Sequence, residues 1–235
     1  ISYLVLPFFG FFVTFLFVPA RKIFSSRNEL SLVKEFLHYN VRVAAFTTVA
    51  AFSAKLDTYL TAVLLSTKEV GIYGITNQLV AFIPQLVSAL GLVASPKFAS
   101  FKDNKQMLVY FKKFQYLVSG LCILGLLVVP VAIYVIPIIL GTQYQEAASP
   151  FIVLFIAQLI FLFSIPVHHS VIFYFGRPDV FIWISIGHLL IIGGLGYLLI
   201  SSFGIIGAAI TVLIGTTFNF LYPLVWLLIR LRNPK

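Results

Sequence analysis

Long apolar runs alternate with short polar stretches along the whole chain, and the runs have the length of membrane-spanning helices. A spanning helix needs about 20 mostly apolar residues. Runs of that kind lie at roughly 2–20, 41–66, 70–95, 114–140 and 148–175. A further uncharged stretch from Val180 to Ile229 is too long for one span. The turn signal "SSFGIIG" at 201–207 divides it in two, which gives about seven helices. Strands are a poor alternative. Membrane barrels alternate apolar and polar residues in segments of about ten, whereas these runs are continuously apolar. Backbone groups in lipid must be satisfied within the segment, so the pattern predicts an all-α polytopic membrane helix bundle.

The polar gaps support this count. The stretch after the first run holds Arg21, Lys22, Arg27, Lys34 and Arg42, and the gap after the third holds Lys97, Lys102, Lys105, Lys112 and Lys113. The gap after the fifth holds Arg177, and the tail holds Arg230, Arg232 and Lys235. Alternate gaps share a side of the membrane, and these are alternate gaps. Cytoplasmic loops collect Lys and Arg, so the basic side is expected to be cytoplasmic, with the C-terminus there and Ile1 outside. Within the first gap, "ELSLVKEFLHYN" sets Leu30, Val33, Phe36 and Leu37 at helical spacing. It reads as a short amphipathic helix on the membrane interface, or else as an ordinary loop.

Composition agrees. Of the 235 residues 60% are hydrophobic and 10% charged, too few charges to cover a soluble domain of this size. The net charge of +9 could point to nucleic acid, but the basic gaps account for it and no nucleic-acid partner is expected. The single cysteine, Cys122, leaves no internal disulfide and no Cys-based metal cluster. The chain opens on Ile1, not methionine, and reads as a fragment or processed piece; its first run lacks the flanks of a signal peptide.

Lys55 and Asp57 break the pattern, because they lie inside an apolar run. Counted from Val41 at 1.5 Å per residue, Lys55 is ~21 Å along its helix, well inside a hydrocarbon core of ~30 Å. A charge there costs at least ~2.5 kcal/mol, so it must face a bundle interior or a wet cavity. Two positions apart on a helix is ~200° in angle, so the two side chains do not share a face. They are candidate substrate-binding residues, or one member each of buried inter-helix pairs. Asn77, Gln78 and Gln85 on the next helix could line the same cavity, with Gln78 and Gln85 seven apart on one face and Pro84 bending the helix. Gln158, His168 and His169 beside Pro166, His188 and Asn219 complete the intramembrane polar set. Buried amides are often inter-helix glue. Asp57, His168 or His188 could carry a coupling ion. Gly207, Thr211 and Gly215 form a small-residue packing stripe. There is no Walker loop, no metal-ligand spacing and no long loop for a catalytic domain, so neither a cofactor nor an enzyme activity is expected.

Three stretches carry a resemblance: "KLDTYLTAVLLSTKEVGIYGITNQL", "ILGTQYQEAASPFIVLFIAQ" and "GRPDVFIWISIGHLLIIGGLGYLLISSFGIIGAAITVLIG". In order and spacing they resemble the polysaccharide (Wzx-type) flippases of the MATE-like multidrug/oligosaccharidyl-lipid/polysaccharide exporter superfamily. The resemblance implies two pseudo-symmetric lobes of about six helices each. Residues 1–20 would be the last helix of an N-terminal lobe, 21–40 the cytoplasmic amphipathic linker and 41–235 the C-terminal lobe. Most of the N-terminal lobe would be a missing partner from the same protein. The implied substrate is a glycan on a polyprenyl pyrophosphate, flipped across the cell inner (cytoplasmic) membrane by alternating access. Lys55 would then contact the pyrophosphate. Asp57 would orient it, bind sugar hydroxyls or couple an ion. A drug or cation exporter of the same superfamily is an alternative, though organic cations would favour acidic cavities. A membrane-embedded glycosyltransferase or sugar polymerase would need a larger outer loop than this chain offers.

Overall fold

The computed structural model describes Val13 and residues 30–232, so the first expected span, residues 21–29 and Lys235 lie outside the described residues. The chain divides into two compact units, Ile1–Arg42 and Val43–Lys235. In the first, residues 30–42 are helical, and Val33, Phe36 and Leu37 are exposed. The second is a helical bundle with no strand among the described residues. Its elements are the part of α1 (Leu30–Leu64) from Val43 onward, α2 (Thr67–Val80), α3 (Phe82–Ser100), α4 (Asn104–Leu126), α5 (Val129–Leu140), α6 (Ala148–His169), α7 (Val180–Leu190) and α8 (Gly196–Arg232). A 3-10 turn, Thr142–Ala147, precedes α6; π-helical turns follow α6 at Ser170–Tyr174 and α7 at Ile191–Leu195.

Prolines set several of these boundaries. A proline ring clashes with the carbonyl four residues earlier. α2 ends at Val80, four before Pro84, and α4 ends at Leu126, four before Pro130. The second break corrects the sequence reading, in which 114–140 is one uninterrupted span; the helix also starts earlier, at Asn104. Four helical stretches among the described residues are long and apolar enough to cross a membrane: Thr67–Ser100, Asn104–Leu126, Thr142–Tyr174 and Val180–Arg232. α1 is long enough but is not among them, because Lys55, Asp57 and several Ser and Thr residues dilute its apolar character.

Val180–Arg232, at 53 residues, is folded back on itself. Gly204 sits at φ 60°, ψ −139°, inside what is otherwise continuous helix. Only glycine adopts that conformation readily. Beyond it the two arms pair antiparallel: a Cβ on Gly196 would touch Thr211, one on Gly207 would strike the Leu199 backbone, and one on Gly215 would sit 2.9 Å from the His188 ring. Gly207, Thr211 and Gly215 are all buried in this seam, as a packing stripe should be. The turn signal at 201–207 is therefore the hairpin.

The loops sort to two ends. At one, Lys68 bonds Glu146 at 3.1 Å and Glu69 lies 3.3 Å from where a Cβ of Gly204 would be. At the other, the Tyr174 hydroxyl donates to Asn104 Oδ1 at 2.6 Å, and Arg177 lies over the Trp226 ring. Alternate loops thus share an end, as the charge pattern requires, and the second end carries most of the lysines and arginines of this unit. Asp179 grips Arg177 bidentately at 2.8 and 2.9 Å and pushes the guanidinium pKa up, and Gly176, at φ 61°, turns the chain into that clamp.

α6 is the centre of the bundle. It is apolar on every side, with Leu154, Phe155, Ala157, Leu162 and Ile165 at 2% exposure or less, and it touches α2 to α5 and α8. Leu92, Ile138 and Leu198 point outward and are largely exposed. An apolar exterior of this extent fits acyl chains and not water. Several buried hydroxyls are satisfied within their own helices, as in Thr76 to Ile72 O at 2.8 Å and Thr211 to Gly207 O at 2.8 Å.

The α1–α2 turn is fixed by a capping box. Glu69 donates no proton here: its carboxylate accepts from the Ser66 backbone N–H at 3.0 Å and from the Ser66 hydroxyl at 2.7 Å, and Ser66 Oγ caps the Glu69 N–H. Ser66→Ala is expected to lower stability by ~1 kcal/mol, read as a lower unfolding midpoint in detergent.

Candidate functional site

α1 between Ala50 and Leu64 has two faces. Ser53, Asp57 and Thr61, spaced by four, are buried, whereas Lys55 and Tyr59 are exposed on the other side. Lys55 and Asp57 therefore point apart, as their angular separation demands. The buried face rests on the arm containing α7. Ser53 Oγ and His188 Nδ1 are 2.5 Å apart, and Leu56 and Leu60 meet Gly193 and Gly196.

Asp57 is 6% exposed and its partner is Tyr73, fully buried on α2, whose hydroxyl donates to Oδ2 at 2.5 Å. The antiparallel turn brings them together. Residues 57 and 73 each lie eight positions from Leu65, at the hairpin. Thr58 Oγ1 makes a long contact of 3.5 Å with Oδ1. Asn77 lies one turn beyond Tyr73 on α2, on the same side, and its Nδ2 is buried without a hydrogen-bond partner. Its side chain adjoins the Tyr73 phenol, so Asp57, Tyr73 and Asn77 form one polar cluster.

The other expected polar residues fall into two environments. Gln78 and Gln85, like Lys55, are exposed on outward faces. The histidines are half-buried and each bridges two helices. His168 Nε2 donates to the Asn219 carbonyl at 3.1 Å, His169 Nδ1 lies 3.1 Å from Ser95 Oγ, and His188 holds Ser53 as above. Gln158 is half-buried on α6. The structure thus brings Asp57 together with Tyr73 and sets Asn77 nearby, and it places Lys55, Gln78 and Gln85 on the bundle exterior. Tyr73 is the residue that the sequence reading missed. The signal was present: an aromatic hydroxyl the same distance beyond the turn as Asp57 is before it.

An exposed lysine at mid-helix is not a lipid-facing residue, given the penalty for a charge in hydrocarbon. The α1 face that carries it must meet water or further protein. The arrangement therefore offers a cation on an accessible face and, behind it, a carboxyl held by a tyrosine. That can attract an anion and carry hydrogen bonds or an ion.

Neither a curated protein nor a solved structure matches the chain. One family model does, over residues 1–149, a stretch that contains Lys55, Asp57, Tyr73 and Asn77, and its description is polysaccharide biosynthesis protein. With well over half of its length matched, this multi-pass membrane chain belongs to the polysaccharide biosynthesis protein family.

Proposed function

We propose that the chain is the C-terminal lobe of a flippase that carries polyprenyl-pyrophosphate-linked oligosaccharide to the outer leaflet of the cell inner membrane. The observation that carries this reading is Lys55, a lysine exposed on a helix whose opposite face is packed into the bundle. Family membership supplies the glycan context. In this reading Lys55 meets the pyrophosphate in a central cavity shared with an N-terminal lobe, and the lobes rock around it. Gln78 and Gln85, on outward faces of α2 and α3, contact the sugar. Asp57 and Asn77 form the inner wall, and Asp57 takes up the coupling ion, binds sugar hydroxyls or orients Lys55. The glycan tail never crosses apolar surface, and the polyprenyl chain stays in lipid. The protein moves its substrate without altering a covalent bond, so it is not an enzyme. The basic end of the bundle faces the cytoplasm.

The test uses the complete parent protein in cells lacking their own polysaccharide flippase, with lipid-linked sugar at the outer leaflet as the readout. Transport by the intact protein and its loss in Lys55→Ala, at equal folded abundance, is the expected result. A tenfold or greater fall corresponds to losing one charge-assisted contact worth ~1.5–3 kcal/mol. Transport by both proteins makes Lys55 structural. Transport of cationic drugs, and not of lipid-linked sugar, replaces the flippase with an exporter.

A further inference from the structure

A second basic feature lies at the other end of the bundle, apart from the Lys55 face. The start of α4 and the residue Phe101 before it border an open, shallow groove of about 400 Å³, lined by Phe101, Lys105, Gln106, Val109, Tyr110 and Lys113. Lys105, Val109 and Lys113 are four apart and share a helix face, so the lysines bracket an apolar wall two turns, or ~12 Å, long. Tyr110 is held rigidly in that wall: its ring meets Phe98 edge-on at 5.1 Å, Phe101 at 5.5 Å and Phe114 at 6.2 Å. Lys97 Nζ sits 5.3 Å from the Phe101 ring centre and adds a third positive charge at the rim. Neither Lys105 nor Lys113 makes an ion pair among the described residues. Asp103, two residues before Lys105, caps the helix by accepting from the Lys105 backbone N–H at 3.3 Å.

We propose that this groove binds the headgroup of an anionic phospholipid. Unneutralised cations at both ends fit a phosphodiester, and the preformed aromatic and aliphatic wall between them fits the glycerol and upper acyl region. A soluble phosphate has no use for the wall, and a neutral lipid has none for the lysines. The groove lies where α4 passes from its charged first turns into its apolar stretch. The site rests on the membrane placement of the bundle and not on transport, so each can fail without the other.

The experiment titrates dioleoylphosphatidylglycerol into the purified protein in neutral detergent and follows the unfolding midpoint, with dioleoylphosphatidylcholine as the comparison. Phosphatidylglycerol is expected to raise the midpoint and phosphatidylcholine to leave it unchanged. Lys105→Gln/Lys113→Gln is expected to weaken the apparent affinity about fivefold per lysine, roughly 25-fold together. Lys105→Arg/Lys113→Arg should retain binding. Lys112→Gln, which removes an exposed lysine outside the groove, should change affinity by less than about twofold. Both groove lysines are exposed, so the lipid-free midpoint of each variant should match the parent. Equal affinity in the double Gln variant, an equal response to phosphatidylcholine, or displacement of the phospholipid by equimolar inorganic pyrophosphate would overturn the proposal.

Discussion

Gly207→Ala is expected to be among the most damaging single-methyl additions possible in this protein. The added Cβ would fall inside the contact distance of the Leu199 carbonyl group and 2.9 Å from the Ile200 nitrogen. These are backbone atoms of the facing arm, so no side-chain rotation relieves them. The hairpin must either open at the seam or shift the arm that also carries His188 against Gly215. Overpacking a tight interior site costs typically ~1–3 kcal/mol, and with backbone on the far side the upper end, ~3 kcal/mol or more, is expected. Two comparisons separate this from a general intolerance of glycine replacement. Gly187→Ala meets only the edge of the Phe218 ring, which can turn away, so its loss should be smaller. Gly71→Ala meets nothing within 4 Å and lies inside a helix, where alanine is favoured by ~0.5–1 kcal/mol, so it should be neutral or stabilising. Unfolding midpoints of the three variants in detergent, ranked in that order, check the hairpin. A Gly207→Ala midpoint equal to that of the parent would mean that the arms do not meet there.

That hairpin was legible in the sequence, because 50 uncharged residues cannot be one span and Ser-Ser-Phe-Gly is a turn signal near its middle. So was the separation of Lys55 from Asp57, which follows from helix geometry alone. The break after Leu126 was not read, although Pro130 stands in plain view. An uninterrupted apolar run hides a kink, since hydropathy does not register a missing N–H. The partner of Asp57 was also missed. A buried acid invites a search for a base, but the short side-chain hydrogen bond to Asp57 comes from a tyrosine. Tyrosine solves the same problem with one short hydrogen bond. It was hidden because Tyr73 sits within a run of small and apolar residues, "VGIYG", that reads as packing. What no sequence pattern could supply is which polar side chains look inward. Gln78 and Asn77 are adjacent, yet one is exposed and the other's amide nitrogen is enclosed. That difference depends on where α6 and α8 press against α2.

Tyr73→Phe puts a number on the buried pair. The substitution keeps the ring, which is fully buried, and removes only the hydroxyl that Asp57 Oδ2 accepts. The carboxyl keeps its contacts with Thr58, through the backbone and a hydroxyl at 3.5 Å, but loses its one short side-chain hydrogen bond. A hydrogen bond to a charged or strongly polar group contributes ~1.5–3 kcal/mol, and a buried acceptor left without its donor bears the full penalty. Tyr73→Phe should therefore destabilise by ~1.5–3 kcal/mol, and Asp57→Ala by at least as much, because it orphans the phenol and opens a void. The double variant should be much less damaging than the two losses added, with a coupling of ~1–3 kcal/mol in the cycle. If the losses simply add, the two groups do not meet. Transport then separates structure from function. A purely structural pair predicts that the double variant, once folded, carries lipid-linked sugar as the parent does. In the proposed flippase Asp57 also serves the inner wall of the cavity. The double variant should then be folded and inactive, while Tyr73→Phe alone, which leaves the carboxyl in place, should keep part of the activity.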